Sequence, residues 1–301
     1  MVFRALVPWD GLAPPGLRVE VYDGVADPPS DVDDVGCYVL PYAKPAALQL
    51  IRAMPRLRVV QTLNAGYDDV RVLLPDGVTL CNGRGLHDAS TAEHALGLIL
   101  AAQRNLATWV RNQDQHEWRQ KHTDSLADSR VLVVGYGSIG QALGRRLEAC
   151  EATVVPVASR PREGVHGIAE LAALLPSADV VVLIVPLTEQ TEKLLGPDEL
   201  ALLPDNALVV NIARGKVLDT DALLAEKGRI RAALDVTDPE PLPADHPLWE
   251  LPGTIITPHV GGGSATFYPR ARRFVAEQLR RLVAGEPLQN VVLGAPTIPL
   301  G

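Results

Sequence analysis

A glycine-rich turn and a set of polar strand ends hold the residues in this sequence that could do chemistry. Val131-Leu-Val-Val-Gly-Tyr-Gly-Ser-Ile-Gly140 carries an apolar, β-branched stretch into Gly135, Gly137 and Gly140, and on into a helical pattern over Gln141 to Ala149. A strand before and a helix after distinguish this G-x-G-x-x-G from a chance match. In that setting Gly135 makes the tight turn, Gly137 lets the backbone approach a pyrophosphate, and Gly140 lets the helix pack on the strand. The helix N-terminus, Ser138 and Ile139 included, then faces the anion. Loops of this kind also serve methyltransferases that bind S-adenosylmethionine, so the loop favours a dinucleotide without compelling one.

Further along, Asn211-Ile-Ala213-Arg214-Gly215, Asp235-Val-Thr-Asp-Pro-Glu240-Pro and Thr257-Pro-His259-Val-Gly261-Gly each close an expected strand. In a doubly wound sheet the carboxyl ends of the strands line the ligand crevice. An imidazole, a carboxylate and a guanidinium placed there are the types that move protons and hold anions. Each has a plain alternative when taken singly. Arg214 could be a surface ion-pair residue, Glu240 a turn residue beside Pro241, and His259 a satisfied core histidine. Their coincidence at successive strand ends beside a phosphate cradle favours a catalytic reading. His94 on an apolar helix, His246 in a proline-rich loop, and His116 and His122 on a polar stretch read as structural or solvated.

The second strand after the cradle ends Val155-Pro-Val-Ala158-Ser159-Arg160-Pro-Arg162. An acidic residue about 20 positions after the glycines would bond the ribose 2'-hydroxyl of NAD, and none stands here. A hydroxyl followed by a guanidinium suits a 2'-phosphate, which arginine meets with paired charge-assisted hydrogen bonds. NADP is therefore the expected cofactor, with NAD possible.

These residues need a frame, and the apolar rhythm supplies one. Short β-branched runs recur at Leu6-Val7, Val19 to Val21, Tyr38 to Leu40, Val59-Val60 and Val78 to Leu80. From Val131 strand and helix alternate, with strands expected at 131–134, 153–157, 180–185, 207–211, 231–234 and 254–257. Such alternation implies parallel sheets covered on both faces. A nearly all-apolar helix, capped by Ser90 or Thr91, is expected through Arg104, and a last long helix over 265–284 ends at Gly285 and Pro287. Residues 108–129 are polar, lack a period, and read as a surface excursion bearing Trp109 and Trp118, placed either at a subunit contact or back on their own domain. The fold class is α/β: two doubly wound, Rossmann-like parallel-sheet domains with a cleft between them. Residues 1–97 with 287–301 are the expected substrate (lid) domain, and 98–286 the dinucleotide-binding domain.

Bulk composition narrows the partners. The 301 residues suffice for two cores. With 36 acidic and 28 basic side chains, a net charge of −8 works against binding to nucleic acid or to anionic membranes. Cys37, Cys81 and Cys150 lack disulfide or zinc spacing, so no metal is expected and a reducing cytoplasm fits. The first apolar run, Ala5 to Val7, is too brief for a secretory signal.

Taken together, Gln61 to Asp68, Ala92-Glu-His-Ala-Leu, the glycine loop, Pro186-Leu-Thr188 with Thr191, Asn211 to Asp219, Asp235 to Trp249, Pro258-His259 and Gly285 to Asn290 resemble the D-isomer specific 2-hydroxyacid dehydrogenases. Within that family they look closest to the glyoxylate/hydroxypyruvate reductases. The resemblance implies an NAD(P)-dependent oxidoreductase that interconverts small 2-keto acids and D-2-hydroxy acids. It assigns Arg214 to the substrate carboxylate and carbonyl, Glu240 to the histidine's carboxylate partner, and His259 to general acid/base catalysis. The chemistry asks for these types. Hydride arrival charges the carbonyl oxygen, so a proton donor must lie in reach. A carboxylate favours and orients the charged imidazole, and arginine grips a carboxylate with two prongs.

The backbone at Ala65 and Gly66 would complete the substrate site. Pro186, Thr191, Ala213 and Gly261 join Ser159 and Arg160 as expected cofactor contacts. Asp235 either sits at the nicotinamide end or caps local amides. Leu40, Tyr42, Asn64, Trp249 and Phe267 are candidate pocket residues. A homodimer through the region from Trp109 to Ser129 is implied. Ala65 stands where phosphite-oxidising relatives carry lysine, and Glu240 where formate dehydrogenases carry glutamine. A chain ending at Gly301 implies no regulatory domain of the long phosphoglycerate dehydrogenase type. Glu151 replaces a frequent glycine. An NAD(P)-sensing binding module of the same fold and a family dehydrogenase acting on bulkier 2-keto acids are the alternatives.

Overall fold

Short parallel strands open the chain in a computed structural model that describes residues 4–298. They are β1 (Arg4–Val7), β2 (Arg18–Val21), β3 (Val35–Val39), β4 (Val59–Gln61) and β5 (Thr79–Cys81), ordered β2-β1-β3-β4-β5. β1 and β3 are buried at every position, as strands covered on both faces must be. Alternation sends Ala5 and Val7 to one face, against Phe267, Ala271, Val275 and Leu279 of the Phe267–Ala284 helix. Leu6 goes to the other, against Tyr38, Ile51 and Val60. A final strand, Val291–Leu293, returns antiparallel along β5.

A second sheet is built from β6 (Arg130–Val134), β7 (Thr153–Ala158), β8 (His166–Gly167), β9 (Val180–Leu183), β10 (Leu208–Asn211), β11 (Arg231–Leu234) and β12 (Thr254–Ile256). Its order is β8-β7-β6-β9-β10-β11-β12, parallel throughout. Strand order reverses between β6 and β9, the switch point where ligands of such sheets bind. The register sets Val157, Val134, Leu183, Asn211, Leu234 and Ile256 side by side in one row along the carboxyl edge.

The chain divides into residues 1–87 with 265–301, and residues 88–264. Both edges differ from those the sequence suggested. Ala92, Ala95, Leu98 and Ile99 of the Asp88–Gln103 helix pack on Val131, Val133, Leu143 and Leu147, which draws the whole helix into the second unit. The Phe267–Ala284 helix belongs to the first, because its buried stripe completes that unit's core. The Asp88–Gln103 helix also begins before its expected caps, so Ser90 and Thr91 are buried inside its first turn. Where a structureless excursion was expected, Leu106–Asp114 is helical, without a single buried residue. Leu40 and Phe267, expected to line a pocket, are core residues at 5% and 1% exposure.

Glu151 follows the Ser138–Ala149 helix with φ at 64°. Its amide donates to the Glu148 carbonyl and that of Ala152 to Leu147, the paired bonds of a Schellman motif. An L-residue in this left-handed position costs on the order of 1 kcal/mol that glycine does not. Glu151→Gly should raise stability by roughly 1 kcal/mol and Tm by about 2–4 °C in a thermal melt.

Burial pushes the thiols of Cys37 and Cys81 up to about 12, whereas Cys150 is half-buried. A raised thiol value means a negligible thiolate fraction at neutral pH. Iodoacetamide at pH 8 should label Cys150 in the native protein and reach Cys37 and Cys81 only after denaturation, as mass spectrometry can read.

Candidate active site

Every candidate segment of the second unit leaves the sheet from the same row. Gly135 follows Val134, Ser159 and Arg160 follow Val157, and Pro186 follows Leu183. Ala213 and Arg214 follow Asn211, Asp235 follows Leu234, and His259 follows Ile256. Adjacent strands lie about 4.8 Å apart, so register alone makes neighbours of groups distant in sequence.

The glycine turn has the form of an anion cradle. Gly135 adopts φ 107°, and a Cβ there would lie 2.3 Å from the Ile184 carbonyl oxygen. At Gly140 a Cβ would lie 2.5 Å from the Gly135 oxygen, so the helix sits directly on the turn. Gly137 differs, because a Cβ there would meet nothing within 4 Å and would fill open space over the first helical turn. No side chain caps that turn. Uncapped amides behind a cleared approach fit a pyrophosphate. The Ser138 hydroxyl donates to Asp88 at 3.1 Å, and Ile139 is half-buried. Ser159 and Arg160 are exposed at the end of β7. It is Arg162 that reaches back to the turn, donating to the Tyr136 carbonyl at 2.7 Å. After β9 the Thr191 hydroxyl donates to the Pro186 carbonyl at 2.6 Å and accepts from the Thr188 amide, fixing that loop.

The loop after β10 is shaped from beneath. Buried Asn211 accepts from the Ala213 amide at 3.0 Å and donates to the Arg214 carbonyl at 2.9 Å. Gly215 presses on the next loop so closely that a Cβ would stand 1.9 Å from the Thr237 oxygen. That contact sets the Arg214 loop against the segment carrying Glu240. Arg214 itself is half-buried, with Nη1 donating to the Ala213 carbonyl at 2.8 Å.

His259 and Glu240 meet directly, Nδ1 to Oε1 at 2.5 Å, with both side chains exposed. With Nδ1 so engaged, Nε2 has no hydrogen bond among the described residues. His259 has φ 52°, a left-handed backbone costing on the order of 1–2 kcal/mol for a non-glycine residue. Its amide donates to the Asp235 carbonyl at 2.8 Å, which holds it there.

Of the two readings of Asp235, local capping is the one its contacts match. Its carboxylate is 3% exposed and accepts from the Val260 amide at 2.9 Å, the Gly261 amide at 2.9 Å and the Thr257 hydroxyl at 2.6 Å. The Gly261 amide is thereby engaged by Asp235, and a Cβ at Gly261 would lie 2.9 Å from that carboxylate. His94, set aside in the sequence, contacts Asp235 as well, at 3.1 Å. Its one sequence signal was a polar residue interrupting an apolar helix. Ala65 and Gly66 lie in the first unit, on the loop after β4, where Asn82 donates to the Ala65 carbonyl at 2.7 Å. Among the described residues no group of His, Cys, Asp and Glu could hold a metal ion, and no helix is long and apolar enough to cross a membrane.

Residues 96–261 match the family model for the D-isomer specific 2-hydroxyacid dehydrogenase, NAD binding domain. The chain belongs to that family. It is 32% identical to a glyoxylate reductase of Korarchaeum cryptofilum over 301 residues, covering 94% of this chain and 88% of that protein. A D-3-phosphoglycerate dehydrogenase of Methanocaldococcus jannaschii is 34% identical over 263 residues, 83% of this chain and 50% of that protein. The chain thus spans about half the length of the first curated relatives it matches. Among solved structures, an NADPH-dependent glyoxylate/hydroxypyruvate reductase from Sinorhizobium meliloti, in complex with NADP and sulfate, superposes with a TM-score of 0.81. That pair is 28% identical, covering 97% of each chain.

The glycines allow a test that separates folding from binding. Gly137→Ala should leave Tm unchanged while weakening NADPH binding about tenfold or more by fluorescence titration, since the added methyl occupies only the pyrophosphate's approach. Gly215→Ala should instead lower Tm and activity together.

Proposed function

We propose that the chain reduces small 2-keto acids such as glyoxylate and hydroxypyruvate to D-2-hydroxy acids, with NADPH preferred over NADH. The observation that carries this reading is the exposed His259–Glu240 pair, whose Nε2 has no hydrogen bond among the described residues, on the row of strand ends that also holds the glycine cradle. A nicotinamide dinucleotide supplies the hydride when bound. The amides of the Ser138–Ala149 helix hold its pyrophosphate beside Gly137, and Ser159 and Arg160 accept a 2'-phosphate at the end of β7. Arg214 takes the substrate carboxylate with its two-pronged guanidinium. Nε2 of His259 gives its proton to the carbonyl oxygen as charge develops there. Glu240 fixes the ring through Nδ1 and stabilises the charged imidazole before transfer.

Small keto acids are favoured over phosphoglycerate because the glyoxylate reductase is matched over most of its length, and the phosphoglycerate dehydrogenase over half. The NADP preference is supported by the missing carboxylate after β7 and by exposed Arg160. We further propose a homodimer through the segment after Gln103, where Leu106, Val110 and Trp118 are 47%, 59% and 98% exposed. A cytoplasmic location accords with the free cysteines.

His259→Ala should lower kcat by about 10²- to 10⁴-fold with little change in NADPH affinity. Arg214→Ala should lower kcat/KM for the keto acid by about 10- to 100-fold. Glyoxylate, hydroxypyruvate, phenylpyruvate and 3-phosphoglycerate, each assayed in its reactive direction with both cofactors, test the reading directly. No turnover with any, alongside tight cofactor binding, would point to a sensor. Arg160→Ala should raise KM for NADPH about tenfold and leave NADH use unchanged. Trp118→Ser should shift the light-scattering mass from dimer to monomer.

A further inference from the structure

His259 sits on a turn that does not hold itself. Its left-handed backbone, φ 52°, follows Pro258 at an exposed edge, and the residues after it, Val260 and Gly261, place their amides on the Asp235 carboxylate. Asp235 also takes the His259 amide on its own carbonyl, so one residue grips the turn through main chain and side chain together. A carboxylate 3% exposed holds its position only while hydrogen-bond donors surround it. Three of those donors, Thr257, Val260 and Gly261, come from the turn itself. The fourth comes from a different element.

That donor is His94, half-buried on the Asp88–Gln103 helix, whose buried residues are Ser90, Thr91, Ala92, Ala95, Leu98, Ile99, Ala102 and Gln103. His94 Nε2 lies 3.1 Å from Asp235 Oδ1 and 3.0 Å from Thr257 Oγ1. The Thr257 hydroxyl spends its proton on Asp235 at 2.6 Å, so toward His94 it can only accept. Nε2 therefore carries a proton shared between the two oxygens, which fixes the tautomer. The ring is also part of the turn's floor, since a Cβ at Gly261 would come within 3.5 Å of His94 Cδ2.

We propose that His94 is a positioning residue for the reaction at His259, acting through Asp235 and Thr257 to hold the turn that aims the imidazole. The proposal rests on His259 as the proton-transferring group. His94 touches neither Glu240 nor His259 in this network, and its effect passes through the Asp235 carboxylate. Removing its donor leaves that buried oxygen one partner short and loosens the Val260 and Gly261 amides. Partners of this kind, set behind a working residue, cost about 10- to 100-fold when lost.

The test uses the full chain with His94→Leu, His94→Gln and Thr257→Val. In glyoxylate reduction with NADPH, His94→Leu and Thr257→Val should each lower kcat about 10- to 100-fold, with NADPH affinity nearly unchanged. His94→Gln, which restores a side-chain N–H donor, should recover most of that loss. The double variant should be no worse than the poorer single one. Independently of turnover, proton NMR should show a downfield imidazole resonance from the His259–Glu240 bond, assigned by its loss in His259→Gln. It should shift or broaden in His94→Leu and return in His94→Gln. Wild-type kcat and resonance in His94→Leu would overturn the proposal, as would a Gln variant no better than Leu with Tm falling in parallel. Should His94→Leu fail to fold, Thr257→Val decides by the same readouts. An inactive wild type with a responsive resonance would sink the proposed function and leave the network standing.

Discussion

Parallel register is the constraint on which the rest depends. Hydrogen bonding between β7, β6, β9, β10, β11 and β12 leaves no freedom over which residues end level, and the level row runs from Val157 to Ile256. A slip of one residue in any strand would turn its side chains to the opposite face and bury a loop's polar start. The buried β-branched and leucine residues of these strands thus fix the positions of residues they never touch. The segments bearing the glycine turn, Arg214, Glu240 and His259 all leave from this row, because each is the continuation of an apolar strand.

Beyond the row, precision comes from polar groups that point back at the backbone. Asn211 folds the loop bearing Arg214, Thr191 closes the loop after β9, and Asp235 anchors the turn bearing His259. Asn211 and Thr191 meet main-chain groups a few residues away, whereas Asp235 reaches amides 25 and 26 positions on, tying the end of β11 to the turn after β12. Gly215 against Thr237, Gly135 against Ile184 and Gly140 against Gly135 admit nothing larger than hydrogen. The exposed His259–Glu240 pair rests on buried Asp235, whose carbonyl accepts the His259 amide and holds its left-handed backbone.

Much of this could be read in the chain. β6, β7, β9, β10, β11 and β12 stand where strands are expected, whereas two-residue β8 is not among them, and the glycine turn is defined by what flanks it. The site segments are visible as polar residues where apolar runs stop. Three features are illegible for physical reasons. The helix Leu106–Asp114 buries nothing, and its apolar spacing, Leu106, Trp109 and Val110, covers little more than one turn before the polar residues 111–114. Unit edges at 87/88 and 264/265 depend on which core a helix joins, and an apolar stripe does not say which partner it meets. The contact of His94 with Asp235 spans 141 positions, and only the packed helix brings them together. The absence of an acidic residue after β7, by contrast, is plain in the sequence alone.

The antiparallel strand Val291–Leu293 has a temporal consequence. It pairs with β5, and the Phe267–Ala284 helix covers β1 and β3, so the first sheet lacks an edge and one face until the intervening residues 88–264 have been made. Everything from Asp88 to Ser264 is made in between and holds a complete core of its own. During synthesis residues 88–264 can therefore finish folding before the first sheet does, and β1 to β5 must wait, incompletely covered, for partners that are translated after that unit.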